Sequence, residues 1–367
     1  MVNKEINCSP GEPLFSCASG IRGLACLIVL ITHAITMFFV NWSAYFAGSG
    51  KIGVWLFFIL SAFLLTTKFK ALGFVFPQIM HYGISRFLRI IPLYLFALII
   101  YRLLGTTAIT TWRDVVDSLL LKQGVAHLWT VPVEFKFYVY LPLFAFLFIK
   151  SAEIKTQFCF FIFLVFIFLE QFFWPYWHTS INSIDVNYYL SPFTTGVFCA
   201  VIYDRVQPYV TSKSATWIGS VMVIICFLSL PLSKWHFFKI PLDLSLANQF
   251  VYFGLLWAIF VVFTIQGVGF FGKILGRSFF QIIGKWSYSI YLFHWLVYMK
   301  YIQLWPNQIW AMVFAFISAI LVGGLVYYFV EKPLEYLRRY AIAHFNWETV
   351  WYLFYSRMRN LATLVMK

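Results

Sequence analysis

The chain has 367 residues, of which 62% are hydrophobic and only 11% charged, with 44 phenylalanines. A soluble core cannot hide that much apolar surface, so lipid is the expected solvent, and the apolar runs lack the alternation that a transmembrane β-barrel requires. The net charge of +14 raises nucleic acid as a partner, but the Lys and Arg residues lie dispersed between apolar runs, so membrane topology accounts for them and no nucleic acid is expected.

In chain order, the hydropathy pattern predicts an all-α polytopic membrane protein with about ten transmembrane helices. They fall near 21–40, 52–67, 88–104, 126–149, 156–173, 188–204, 215–232, 247–267, 284–303 and 308–330, close to the roughly 20 residues that span a hydrocarbon core. The charged stretch ahead of the first run (Lys4, Glu5, Glu12) is unlike a cleavable signal, so the first helix is expected to stay as an anchor. Lys and Arg are denser on the side that holds Lys68, Lys70, Arg86, Arg89, Arg338 and Arg339, which predicts cytoplasmic N- and C-termini. Residues 1–335 read as a single transmembrane domain. Residues 336–367 alternate Arg with Trp, Tyr and Leu and read as a basic amphipathic cytoplasmic tail on the inner leaflet. The six cysteines are scattered without a CxxC pair, and no metal is expected.

An ionisable group inside a span costs several kcal/mol unless it has a partner, a wet cavity or a function. Arg22 and His33 stand eleven residues apart, about three helical turns and roughly 16 Å on one face, so a deep imidazole is linked to the cytoplasmic mouth. His127 and Glu134 are seven apart in the fourth span, close to two turns, and the same arithmetic sets Glu134 at the depth of His33, predicting a His–Glu pair. Arg86 and Arg89, at i and i+3, are neighbours suited to phosphates. His294 in the ninth span either lines the same cavity or serves as a structural hydrogen bonder.

Several blocks together resemble the acyltransferase 3 family of integral membrane proteins, which O-acylate sugars of bacterial surface glycans. They are Gly20-Ile-Arg22-Gly-Leu-Ala with His33, Gly53-Val-Trp-Leu-Phe-Phe-Ile-Leu-Ser61, Arg86-Phe-Leu-Arg89-Ile-Ile-Pro92 and His127-Leu-Trp129-Thr-Val-Pro-Val-Glu134. Two more follow, Ser287-Tyr288-Ser-Ile-Tyr-Leu-Phe-His294-Trp295 and Phe329-Val-Glu331-Lys-Pro333. Ser19, Ala62 and Phe135-Lys136 stand where family members commonly carry Asp, Gly and Glu-Gln, and the family's fused extracytoplasmic SGNH domain is not expected here.

The resemblance implies a catalytic His33, with Arg22 as its motif partner and Arg86 and Arg89 at the acyl-donor end. Glu134 is added as a catalytic candidate that orients the ring, and Ser61, His127, Trp129, Tyr288 and His294 as candidate cavity lining. The implied co-substrate is acyl-CoA, acetyl-CoA by default, with no bound cofactor. The implied acceptor is a glycan or lipid-linked sugar, and the implied location is the bacterial cytoplasmic (inner) membrane, among membrane lipids. His33 acts as general base or becomes transiently acylated; both remain open. A transporter or flippase for a lipid-linked sugar or small metabolite is the alternative, since a midplane polar cluster suits that too.

Overall fold

The computed structural model of the chain describes residues 15–105 and 109–344. These residues are helical throughout, joined by turns, and no strand occurs among them. The helices are α1 (Ala18–Phe38), α2 (Ser49–Leu72), α3 (Phe76–Leu104), α4 (Trp112–Leu119), α5 (Thr130–Ile154), α6 (Thr156–Phe173) and α7 (Leu190–Val206). They continue with α8 (Ser212–Ser229), α9 (Pro231–Phe238), α10 (Phe250–Thr264), α11 (Gly269–Leu275), α12 (Ser278–Leu304), α13 (Ile309–Val326) and α14 (Lys332–His344).

Seven helical stretches among the described residues are long and apolar enough to cross a membrane. They carry α1, α2, α3, α5, α6, α8 and α13, and the pair α10–α11, bent by 82°, makes an eighth if taken as one span. The predicted spans 188–204 and 284–303 fall on α7 and α12, so both are helical without meeting that description. The reason lies in where they sit. α7 has only 17 residues, nearly all buried, and α12 carries Lys285, Ser287, Ser289 and His294 along its length. Both face protein, which tolerates a short or polar helix where lipid does not. The large apolar side chains that do face outward, such as Phe161, Phe168 and Phe172 on α6 and Phe314, Leu321 and Leu325 on α13, form the surface expected against acyl chains. Of the tail predicted over 336–367, residues 336–344 continue in α14 and the rest lies outside the described residues.

Small residues set the helix spacing. α1 packs against both α2 and α12, and α2 against α7. A Cβ on Gly284 of α12 would fall 1.6 Å from the Ser19 carbonyl oxygen, and one on Gly23 of α1 would fall 2.3 Å from that of Phe280. The two backbones therefore touch, as small-residue crossings in membranes allow. Gly53 meets the Ala25 carbonyl in the same way on the α2 side, and Gly196 of α7 meets Ile59 and Ala62. At the far end of α13, a π-helical turn (Tyr327–Glu331) carries Glu331 inward. Ser289 of α12 donates to its carboxylate at 2.5 Å, which ties the last two motif blocks together.

Gly284→Ala must push α12 off α1, with an expected loss of about 1–3 kcal/mol in stability. Gly83→Ala, at a site on α3 where a Cβ meets nothing within 4 Å, should be neutral or gain up to about 1 kcal/mol. Thermal unfolding of both variants in detergent checks the contrast.

Candidate active site

Two cavities enter the bundle along opposite halves of α1 and α2. The first, of about 330 Å³, is lined by Arg22 near the start of α1, Lys68 near the end of α2, Arg86 and Arg89 on α3, and Ser61, Glu134 and Tyr288. The second, of about 410 Å³, is lined by Thr32, His33 and Thr36 on the later half of α1, Gly50 and Lys51 at the start of α2, and His127 and Trp129. Val54 and Tyr291 line both, so two side chains form a shared wall. The regular α1 helix places Arg22 in one cavity and His33 in the other, as three turns of separation require.

In the histidine cavity, His33 Nδ1 lies 2.9 Å from His294 Nε2, and His294 Nδ1 lies 2.7 Å from the Tyr291 carbonyl oxygen. A carbonyl only accepts, so His294 Nδ1 carries a hydrogen, and in the neutral pair its Nε2 receives the hydrogen of His33 Nδ1. That leaves His33 Nε2 as a bare lone pair. A Cβ on Gly50 would lie 3.5 Å from this nitrogen, so the first turn of α2 borders it. His127 completes the cluster, edge-on to His294 with ring centroids 4.7 Å apart and stacked on Trp295. Tyr101 donates its hydroxyl to the Leu292 carbonyl at 2.9 Å, so the 3.4 Å contact with His127 must be donated by His127 Nε2. The His127 Nδ1 is buried without a hydrogen-bond partner among the described residues. Tyr291 braces this corner, donating to the His127 carbonyl and accepting from Thr130 at 2.8 Å. No group of three or more His, Cys, Asp or Glu among the described residues is arranged to hold a metal ion.

The other cavity has four cationic side chains, Arg22, Lys68, Arg86 and Arg89, against the single carboxylate of Glu134. Glu134 accepts from Ser61 at 2.7 Å and from Tyr138 at 2.5 Å. Arg86 Nε is buried without a hydrogen-bond partner among the described residues. Arg89 reaches Glu335 of α14 at 3.7 Å, but that carboxylate is closer to Arg338 and Arg339, at 2.5 and 3.0 Å. Tyr288 donates to the Ile90 carbonyl at 3.0 Å. The arrangement is an electropositive recess with guanidinium donors to spare, which suits an anion bearing several oxygens.

Two sequence expectations are corrected. Glu134 does not pair with His33: it bonds Ser61, about 16 Å along α2 from the Gly50 that borders His33, and His127 to Trp129 form a 3-10 turn ahead of α5, entered through Ala126 at φ +47°. That turn breaks the helical phase between His127 and Glu134, so they fall in different cavities. His294 does not line a cavity either; it is fully buried behind His33. Tyr138, Tyr291 and Lys51 went unremarked as site residues. Of these, Lys51 had a signal, a charge two residues ahead of Gly53 at the start of an apolar run.

A bundle of helices long and apolar enough to cross a membrane, with a histidine cluster and an arginine recess back to back, defines a multi-pass membrane protein with two adjoining polar cavities. The acyltransferase domain of the acyltransferase 3 family matches residues 17–328, and the chain belongs to that family. It is 23% identical to the peptidoglycan O-acetyltransferase OatA of Listeria monocytogenes, over 86% of this chain and 55% of that protein. It is 21% identical to a protein of Staphylococcus aureus strain COL that is provisionally named an O-acetyltransferase, over 95% of this chain and 61% of the relative. The chain thus spans less than two thirds of the length of these curated relatives. No solved structure matches it.

His294→Ala strips His33 Nδ1 of its acceptor inside the bundle. The expected cost is about 1–3 kcal/mol of stability, read as a lower unfolding midpoint in detergent, and His294→Gln should recover part of it by presenting an amide oxygen.

Proposed function

We propose that the chain transfers an acyl group, acetyl by analogy with its relatives, from acyl-CoA to a hydroxyl of a glycan or lipid-linked sugar. In this reading the arginine cavity faces the cytoplasm of a bacterial cell at its inner membrane, and the histidine cavity faces outward. Arg22, Arg86 and Arg89, with Lys68 beside them, hold the CoA phosphates. Glu134, kept in place by Ser61 and Tyr138, balances part of that positive charge.

The observation that carries the reading is the bare Nε2 of His33, at the end of a hydrogen-bonded pair and one shared wall away from the arginines. Imidazole in this state is a general base. As His33 Nε2 takes the proton of the acceptor hydroxyl, the oxygen attacks the thioester carbonyl; collapse of the tetrahedral intermediate expels the CoA thiolate, which the imidazolium reprotonates. His294 holds the ring and shares the charge that develops on it. The family assignment favours transfer over the transporter alternative.

His33→Ala should lower transfer at least about 100-fold, the usual worth of a positioned base, while the protein still inserts and purifies. Near-normal transfer to glycan by that variant would sink the role. Arg86→Ala and Arg89→Ala should each weaken acyl-CoA binding roughly 10- to 100-fold, the worth of one charge-assisted contact, with Arg86→Ala the more severe because Arg89 is shared with Glu335. Calorimetric titration of the purified protein with acetyl-CoA measures both.

A further inference from the structure

Lys51 is a buried cation without an ion-pair or hydrogen-bond partner among the described residues. Its residue is only 8% exposed, and its Nζ is buried without a hydrogen-bond partner. The ammonium lies over the face of Trp129, 4.9 Å from the ring centroid, which offsets only part of the loss of water. The position makes matters worse. Lys51 sits in the first turn of α2, whose N-cap is Gly48 in the left-handed conformation with no side chain capping the turn. The positive end of the helix dipole and a lysine charge thus coincide, where an acidic group would be stabilising. Gly48, Gly50 and Lys51 all line the histidine cavity together with Trp129, and Gly50 borders the free nitrogen of His33.

Each of these is adverse for an empty site and favourable for one that holds an anion. We propose that the first turn of α2 and Lys51 form an oxyanion-binding subsite of the histidine cavity, which receives a carboxylate or phosphate carried by the acceptor next to the hydroxyl presented to His33. The inference rests on the acyl-transfer reading for its placement of the acceptor, and it adds that the acceptor is acidic. A carboxylate would come from an acidic sugar, a phosphate from the linkage to a lipid carrier or from a phosphorylated sugar. Trp129, beside Nζ, offers an aromatic face for the sugar ring that bears the charge.

Binding and transfer test it separately. Purified full-length protein in detergent, with saturating CoA present, is titrated with glucose, glucuronic acid or glucose 1-phosphate while its thermal midpoint is followed. One or both charged sugars should raise the midpoint of the wild type and of Lys51→Arg, and which of them does so names the source of the anion. Lys51→Met should show a higher unliganded midpoint, because an unpaired charge is gone, and no shift with any sugar. No shift in the wild type, or an equal shift in Lys51→Met, overturns the subsite. Transfer from acetyl-CoA to a neutral oligosaccharide and to its acidic counterpart is then compared. The acidic acceptor should be favoured at least 10-fold in kcat/KM, with Lys51→Met collapsing that ratio through KM. A ratio that Lys51→Met leaves unmoved also overturns the subsite. Wild type that acylates no acceptor refutes the transfer reading alone, and the midpoint titration still decides whether an anion binds at Lys51.

Discussion

The close crossing of α1 and α12 is the constraint on which the rest depends. With the Ser19 carbonyl against Gly284 and Gly23 against Phe280, the two backbones leave no room for side chains at the crossing, so the helices stay close along their lengths. Further along, that proximity brings His33 and His294 within hydrogen-bond distance across 261 positions of sequence. A looser crossing would strip His33 Nδ1 and His294 Nε2 of each other inside the bundle, each with the penalty of an unpaired polar atom. The glycines in the opening motif and the histidines in its continuation thus serve one end: the first set distance, the second use it.

Charge is distributed along the same axis. One cavity gathers guanidinium groups around a single well-bonded carboxylate, while the other holds imidazoles and one lysine, and the wall between them is Val54 and Tyr291. Polar groups at this depth are tolerated because they face cavities or one another and not lipid. Glu331 with Ser289, and Glu170 with Thr194 at 2.7 Å, show the same economy at the periphery, where each buried carboxyl is met by a hydroxyl from a neighbouring helix.

How much of this could be read from the residues follows from what helical spacing encodes. The Arg22–His33 relation was legible because α1 is regular over its whole length, and the Arg86–Arg89 pair because three residues on a helix are always neighbours. Depth between helices was not, because rise per residue is fixed only within a helix and the level at which each helix enters is not. Depth arithmetic set Glu134 level with His33, but Glu134 bonds Ser61, about 16 Å along α2 from the Gly50 that borders His33, and a 3-10 turn with a left-handed Ala126 moved His127 out of phase. Hydropathy found every helix it predicted, yet only seven or eight spans among the described residues are long and apolar enough by themselves to cross a membrane, because α7 and α12 sit against protein, where apolar length is no guide. The His33–His294 pair had no local signal at all; it exists only once α12 lies on α1.

The hydrogen-bonded string from His33 through His294 ends at the Tyr291 carbonyl oxygen, an atom that accepts a hydrogen bond and cannot relay a proton. A proton taken up at His33 Nε2 can therefore be shared between two rings, but it leaves by the face on which it arrived. The string is a cul-de-sac and not a wire. The two cavities are parted by Val54 and Tyr291, and a string that dead-ends on a carbonyl carries no proton from one to the other.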